Sequence, residues 1–225
     1  MYKVLMIDEE KDVFDDFRDY VDDSALKAEF EIITEFPLND LEEMIQVIVK
    51  INPDAIITDF MLNESKVDIK HNVPYNGSRL VNEFTAIREG FPCFILTSFD
   101  DQAINQSSDV NIVYIKNILH GDVEAKTKAR ATFLERIKSQ INHYTGRIKE
   151  AEDKLLALLD LRKSGKATLA DENEIIELDT FLESTIDRKH AIPKEYKTLS
   201  NTNRLDQILS KVDDLLKKID TGDGK

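Results

Sequence analysis

The stretch 54–64, DAIITDFMLNE, decides the fold that the sequence predicts. Ala55, Ile56 and Ile57 form an apolar run, and the carboxylate of Asp59 stands where that run ends. Strands with continuous apolar runs are buried on both faces, as in a parallel sheet that helices cover on each side. A carboxylate is costly to bury, so we expect Asp59 to lie at the edge where the strand leaves the core.

The rest of the first half alternates short apolar runs with amphipathic stretches. Four more runs indicate strands: VLMI (4–7), FEIITEF (30–36), CFILTSF (93–99) and NIVYIKN (111–117). Helical spacing of apolar residues indicates helices at 12–21, 41–51 and 78–89, with a weak fourth at 100–109. This alternation predicts a doubly wound parallel sheet, whose ligand site lies outside the carboxyl ends of the strands.

The second half has no strand signal and is predicted to be an all-α module. A helix at 122–164 carries a narrow apolar seam of coiled-coil type, and SGKAT (164–168) breaks it. Two more helices are expected at 170–185 and 204–219, with a connector at Pro193. The predicted module is therefore a coiled coil or a three-helix unit. The predicted domains are 1–121 and 122–225.

Charge and composition narrow the classes of partner. The net charge of the chain is −14, with −15 on residues 1–122 and +1 on the rest, which argues against a nucleic-acid binder. The stretch 123–149 has seven basic against two acidic residues, for which a solvated helix face is the favoured interpretation. No apolar run approaches the roughly 18 residues of a membrane span. With a single cysteine, Cys93, we expect a soluble cytoplasmic protein without disulfides.

Polar residues with possible chemistry follow four of the five predicted strands. They are Asp8, Glu9, Asp59, Thr97 and Lys116. In a doubly wound sheet these strand ends converge, and three carboxylates there would repel one another unless a divalent cation bound them. Mg²⁺ suits such a site because it takes one or two carboxylates, keeps water and bridges to phosphoryl oxygens.

The motifs IDEE (7–10), IITDFML (56–62), ILTS (95–98) and YIKN (114–117) resemble the receiver domain of two-component response regulators. The resemblance covers about residues 1–120 and implies a flavodoxin-like sheet with the strand order 2-1-3-4-5. It also implies a phosphoryl group taken from a histidine kinase with the help of Mg²⁺.

The resemblance assigns a role to each matching residue. Asp59 is the implied phospho-acceptor, and Asp8, Glu9, Asp59 and the backbone carbonyl of Met61 are the implied Mg²⁺ ligands. Thr97 matches the switch hydroxyl, and Lys116 matches the lysine that pairs with the phosphoryl group. Self-dephosphorylation would be compatible with such a site, and no separate catalytic domain is indicated.

Three features depart from the family's pattern. Asn117 stands where a proline usually follows the lysine, and Val113 stands where the family places an aromatic switch residue. Tyr114, one position later, should point to the other face of the sheet because side chains alternate along a strand. The loop at 63–77 is longer than the 2–6 residues typical of such connections.

Three functions therefore stay open at this stage. The first is a response regulator whose helical half binds an output protein or forms a homodimer, without binding DNA. The second is a pseudo-receiver scaffold whose site no longer turns over, as Asn117 and Val113 suggest. The third is a phosphorelay protein in which His143 also carries phosphate, although a solvated or packed histidine is the favoured interpretation of that residue.

Overall fold

The structure, a computed structural model, describes residues 1–63, 73–98, 110–120, 132–188 and 191–198. The predictions for 100–109, for the first ten residues of the 122–164 helix and for 204–219 lie outside these residues. By its internal contacts the chain divides into two compact units, residues 1–147 and 148–225. Within the described residues, no helix is long and apolar enough to cross a membrane.

The first unit is built on a five-stranded parallel sheet with the order β2-β1-β3-β4-β5. The strands are β1 (Tyr2–Ile7), β2 (Phe30–Glu35), β3 (Ala55–Asp59), β4 (Cys93–Thr97) and β5 (Val113–Ile115). All five residues of β3 and all five of β4 are buried, as their continuous apolar sequences predict. The predicted fold class and strand order are confirmed.

Helices cover both faces of this sheet. They are α1 (Lys11–Asp22), α2 (Leu41–Ile51), α3 (Gly77–Ile87) and α4 (Phe133–Lys163). The apolar residues of α2 and α3 pack in one cluster with the sheet, and those of α1 and the start of α4 pack in a second. We call these the α2/α3 face and the α1/α4 face. In the described part of the chain two helices cover each face, which is the doubly wound arrangement.

The first turns of α4 pack within the first unit. Phe133, Leu134, Ile137 and Ile141 are buried in the cluster of the α1/α4 face, and the Phe133 ring meets Phe94 edge-on. The predicted domain limits, 1–121 and 122–225, differ from the observed division because these residues bury against the sheet. The apolar residues at the start of α4 are already buried in the first unit, so they are not free to form a coiled coil with a second chain. Self-association through the apolar seam therefore stays a prediction only for the part of α4 after residue 147.

In the second unit, α5 (Leu169–Asp187) follows the end of α4 after a short break. Gly165 adopts a positive φ of 70° there, and Thr168 forms a capping box with Asp171 at the start of α5. Ion pairs of Lys154 with Glu174 and of Arg162 with Glu172 join the two helices. The helix–break–helix pattern predicted for 122–185 is thus present in the described residues.

The stretch predicted as a connector becomes helical after Pro193. Residues 194–198 form a short helix directly after it. A proline at the start of a helix is favourable because the amide hydrogen it lacks would have no partner inside the helix. The Lys197 side chain returns to α5, where it pairs with Asp179 and Glu183.

Candidate phospho-acceptor site

The carboxyl edge of the sheet gathers the predicted polar residues of three strands. Lys116 comes directly after β5, and its Nζ lies 2.7 Å from Asp59 Oδ1 and 3.1 Å from Asp8 Oδ2. Asp8 and Asp59 are almost fully buried, whereas the Lys116 side chain keeps 17% of its surface exposed. Residues far apart in sequence therefore meet in one cluster, because parallel strands end at the same edge of the sheet.

Both oxygens of the Asp59 carboxylate have a donor. Oδ1 pairs with Lys116, and Oδ2 accepts a short hydrogen bond from the backbone N–H of Met61. The N–H belongs to the turn that follows β3, so the backbone itself orients the carboxylate. The Asp59 carboxylate therefore has a fixed orientation, which is what a nucleophile at this position would require.

Unlike the carboxylates of Asp8 and Asp59, that of Glu9 has a buried oxygen, Oε2, with no hydrogen-bond partner among the described residues. Burial, followed by the charges of Asp59 and Asp8, raises the pKa of Glu9 to about 8. Burial also raises the pKa of Asp8 to about 6, against the opposing effect of Lys116. The cluster thus carries more negative charge than its own donors neutralise.

The ammonium of Lys116 responds to the same charges. Burial alone would lower its pKa, but Asp8 and Asp59 outweigh burial and hold the pKa above its ordinary value. Lys116 therefore stays charged at neutral pH. It is a cation already placed beside the carboxylate that would receive a phosphoryl group.

The donor set fits a magnesium ion, although no group of three acidic, histidine or cysteine side chains in the described residues is arranged to hold a metal by itself. The Glu9 oxygen has no partner among the described residues, and a cation would supply one and would offset the burial and charge that raise the pKa values of Glu9 and Asp8. Mg²⁺ needs only one or two carboxylates and completes its shell with water. The ligand roles predicted for Asp8, Glu9, Asp59 and the Met61 carbonyl remain a prediction.

Thr97 is the last residue of β4, and Val113 and Tyr114 lie on β5. Thr97 is fully buried at the end of β4. Val113 packs against the α2/α3 face, while the Tyr114 ring lies on the α1/α4 face, 4.8 Å from the ring of Phe133. The predicted orientation of Tyr114 is confirmed. Asn117 lies in a 3₁₀ helix, Lys116–His120.

His143 lies far from this cluster. It follows Asn142 on α4, whose side chain accepts a hydrogen bond from Tyr2 at the amino end of β1. The histidine is exposed and lines an open cleft of about 480 Å³ with Leu26 and Lys138. The structure therefore does not bring His143 to the carboxyl edge that carries Asp59.

Sequence reasoning missed the segment that leads into α3. Tyr75 is buried, Asn76 caps the helix, and Gly77 lies against the backbone of Asp59. These residues belong to the stretch 63–77, which was predicted as loop only. The Asn–Gly pair is a turn signal and an N-cap signal, but its contact with Asp59 depends on the tertiary structure.

Comparison with known proteins adds only weak likenesses. No protein-family model and no curated protein matches the chain. A solved structure of the anti-anti-sigma factor PhyR from Bartonella quintana is 12% identical with a TM-score of 0.43, over 67% of this chain and 51% of that one. This chain thus spans about half the length of PhyR.

Two structures of RcsB resemble the chain over more of their length. The RcsB response regulator of Salmonella typhimurium is 13% identical with a TM-score of 0.36, over 80% of this chain and 91% of that one. RcsB of Salmonella enterica serovar Typhimurium, bound to promoter rprA in the presence of phosphomimetic BeF₃⁻, is 13% identical with a TM-score of 0.39. The match covers 88% of this chain and 96% of that one. Every TM-score is below 0.5, so these likenesses support no statement about the site.

Proposed function

We propose that this protein is a response regulator that accepts a phosphoryl group on Asp59 from a histidine kinase. The observation that carries the proposal is the bridge of Lys116 between Asp8 and Asp59 at the carboxyl edge of a β2-β1-β3-β4-β5 sheet. An ordinary capping aspartate would not need a partly buried lysine shared with a second carboxylate. Such clusters of perturbed groups are concentrated at functional sites.

The chemistry is a phosphoryl transfer between two side chains. A carboxylate oxygen of Asp59 attacks the phosphorus of a phosphohistidine, and an O–P bond forms while the P–N bond breaks. The imidazole nitrogen keeps the electron pair and takes up a proton from solvent. The Lys116 ammonium and the Met61 N–H, which already contact the Asp59 carboxylate, would donate to the phosphoryl oxygens, and the Thr97 hydroxyl is the proposed third donor.

Magnesium is the proposed cofactor of this site. Glu9, Asp8, Asp59 and the Met61 carbonyl are the groups that would hold it. When bound, it neutralises the charge of the carboxylates and of the incoming phosphoryl group. Without it, Lys116 alone would have to balance three carboxylates and the phosphoryl charge.

The proposed output is a protein interaction of the helical half, with either another protein or a second copy of the chain. Helix α4 is continuous from Phe133 to Lys163 and so crosses the division at residue 147. Its first residue contacts Tyr114, two positions before Lys116. A change at Lys116 therefore has a short packed route to this helix. We propose a cytoplasmic protein that binds neither DNA nor a membrane.

The proposal is tested by incubating the protein with acetyl phosphate and Mg²⁺ and measuring the intact mass. We expect the gain of one phosphoryl group, lost in Asp59→Asn. The matched control is Asp54→Asn at the amino end of the same strand, where the carboxylate accepts a hydrogen bond from the Lys3 N–H. Lack of any gain in the wild type would favour a pseudo-receiver scaffold, and a gain that requires His143 would favour a phosphorelay.

A further inference from the structure

The amino end of α3 lies in direct contact with the backbone of Asp59. The Gly77 N–H donates a hydrogen bond of 3.0 Å to the Phe60 carbonyl. A Cβ built on Gly77 would lie 2.0 Å from the Asp59 carbonyl oxygen, far inside any van der Waals contact. Only a residue without a side chain allows this approach.

Strand β4 holds the same turn from its other side. The Phe60 N–H donates to the Leu96 carbonyl at 2.8 Å. Both polar groups of Phe60 are therefore fixed, one by β4 and one by α3. The next residue along the chain is Met61, whose N–H is thereby directed at Asp59 Oδ2.

Tyr75 fixes the chain immediately ahead of α3. Its side chain is 3% exposed, and its hydroxyl donates a hydrogen bond of 2.6 Å to the Leu38 carbonyl in the loop before α2. Asn76 then caps α3 by accepting from the Arg79 N–H at 2.9 Å. The position of Gly77 is thus set by a buried tyrosine and a helix cap.

We propose that Gly77 and Tyr75 are positioning residues, which hold the turn after β3 so that the Met61 N–H and the Asp59 carboxylate keep their reactive arrangement. This inference rests on the proposed role of Asp59 as phospho-acceptor. Gly77 acts by close contact with the Asp59 backbone, and Tyr75 acts by keeping α3 at that distance.

The test compares Gly77→Ala and Tyr75→Phe with wild type in the full chain. The matched control is Gly146→Ala, because a Cβ there meets no atom within 4 Å. The initial rate of Asp59 phosphorylation is measured over a range of acetyl phosphate concentrations with saturating Mg²⁺. We expect the maximal rate to fall about 100-fold for Gly77→Ala, since a misplacement near 1 Å has that effect on aligned groups. We expect about a threefold fall for Tyr75→Phe, in line with the loss of one hydrogen bond, and no change for Gly146→Ala.

A second measurement, the chemical shift of the Met61 amide proton, reports on the position of this N–H relative to the Asp59 carboxylate and does not require phosphorylation. The short hydrogen bond to a carboxylate shifts the Met61 amide proton downfield, and Gly77→Ala and Tyr75→Phe should move this resonance upfield while Gly146→Ala leaves it in place. If wild type accepts no phosphoryl group, the proposed function fails, yet the amide shift still tests the positioning. If Gly77→Ala does not fold, the maximal rate and the Met61 resonance of Tyr75→Phe test the inference instead. A Tyr75→Phe protein with the wild-type maximal rate and the wild-type Met61 resonance would overturn the inference.

Discussion

The ring of Tyr114 in β5 and the ring of Phe133 at the start of α4 lie with their centroids 4.8 Å apart. Phe94 of β4 completes the group, with its centroid 6.0 Å from Tyr114 and 5.8 Å from Phe133. The aromatic residue of β5 therefore faces the long helix and not the face of Val113. Any shift of β5 that follows a change at Lys116 would reach α4 through these rings.

The first prediction concerns this route. Beryllofluoride, used with Mg²⁺ as a mimic of the phosphoryl group, should change the amide hydrogen exchange of α4 in wild type. Tyr114→Leu should reduce that change, although Asp59 should still accept phosphate in this variant. The Leu side chain keeps apolar contact but removes the ring pairs, at a stability cost of about 1 kcal/mol. Exchange followed by mass spectrometry measures the effect.

Tyr20→Leu is the control for that experiment, because Tyr20 stacks on Phe17 and packs at the edge of the same cluster. It should leave the response of α4 intact. A full response in Tyr114→Leu, or none in wild type, would contradict the proposed coupling.

The second prediction concerns the limits of the first unit. A fragment 1–147 should unfold cooperatively in urea, whereas 1–121 lacks the buried residues at the start of α4 and should be much less stable. In the full chain, Phe133→Ala should cost about 3–5 kcal/mol, the usual effect of removing a buried phenylalanine. Leu156→Ala, at a side chain that is 62% exposed, should change stability by no more than about 0.5 kcal/mol. Equal stabilities of 1–121 and 1–147 would show that α4 is not part of this core.

The third prediction is a pH dependence. Since the pKa values of Glu9 and Asp8 are raised in the folded protein, to about 8 and about 6, folding favours their protonated forms. In the presence of a chelator, the stabilisation is full below the ordinary carboxyl pKa and is lost as the pH rises towards 8. The melting temperature should fall between pH 5 and 8.5, and Glu9→Gln should flatten the curve and be the more stable protein at its alkaline end.

Mg²⁺ should reverse this loss, because it binds the deprotonated carboxylates. At one hundred times its dissociation constant it should add about 2.7 kcal/mol, with a larger effect at pH 8 than at pH 6. Glu31→Gln, an exposed position of β2, is the control that should follow wild type. A wild-type melting temperature that rises with pH in chelator would contradict the assignment.

The fourth prediction concerns Lys116. Lys116→Met leaves the buried carboxylates of Asp8 and Asp59 without their cation, which should cost about 3–5 kcal/mol at pH 8 and less at pH 5, where protonation relieves the repulsion. Lys138→Met breaks an exposed pair with Glu29 and should have a smaller effect with no such pH dependence. Urea unfolding at both pH values measures the difference. Equal losses at pH 5 and pH 8 would show that carboxylate repulsion is not the cause.

The sequence alone predicted the sheet and most of the cluster at its edge. The apolar runs that became β3 and β4 are local signals, because a strand buried on both faces has no polar side to preserve. Asp8, Asp59 and Lys116 each come at the end of such a run, so the topology that brings strand ends together also gathers these residues. The break at 164–168 and the cap at Thr168 are likewise local.

Only the tertiary structure decided which surface each apolar stripe covers. The seam of α4 has one spacing throughout, yet Phe133 and Ile137 bury against the sheet, while Ala151 and Leu158 belong to the second unit. The contacts of Gly77 with Asp59 and of Tyr75 with Leu38 likewise give no signal in the sequence, since the partners are distant along the chain. Hydrophobic periodicity and helix caps depend on residues close together in the sequence, so they can be recognised there. Packing partners are distant in the sequence, and which of them meet depends on the shape of the folded molecule.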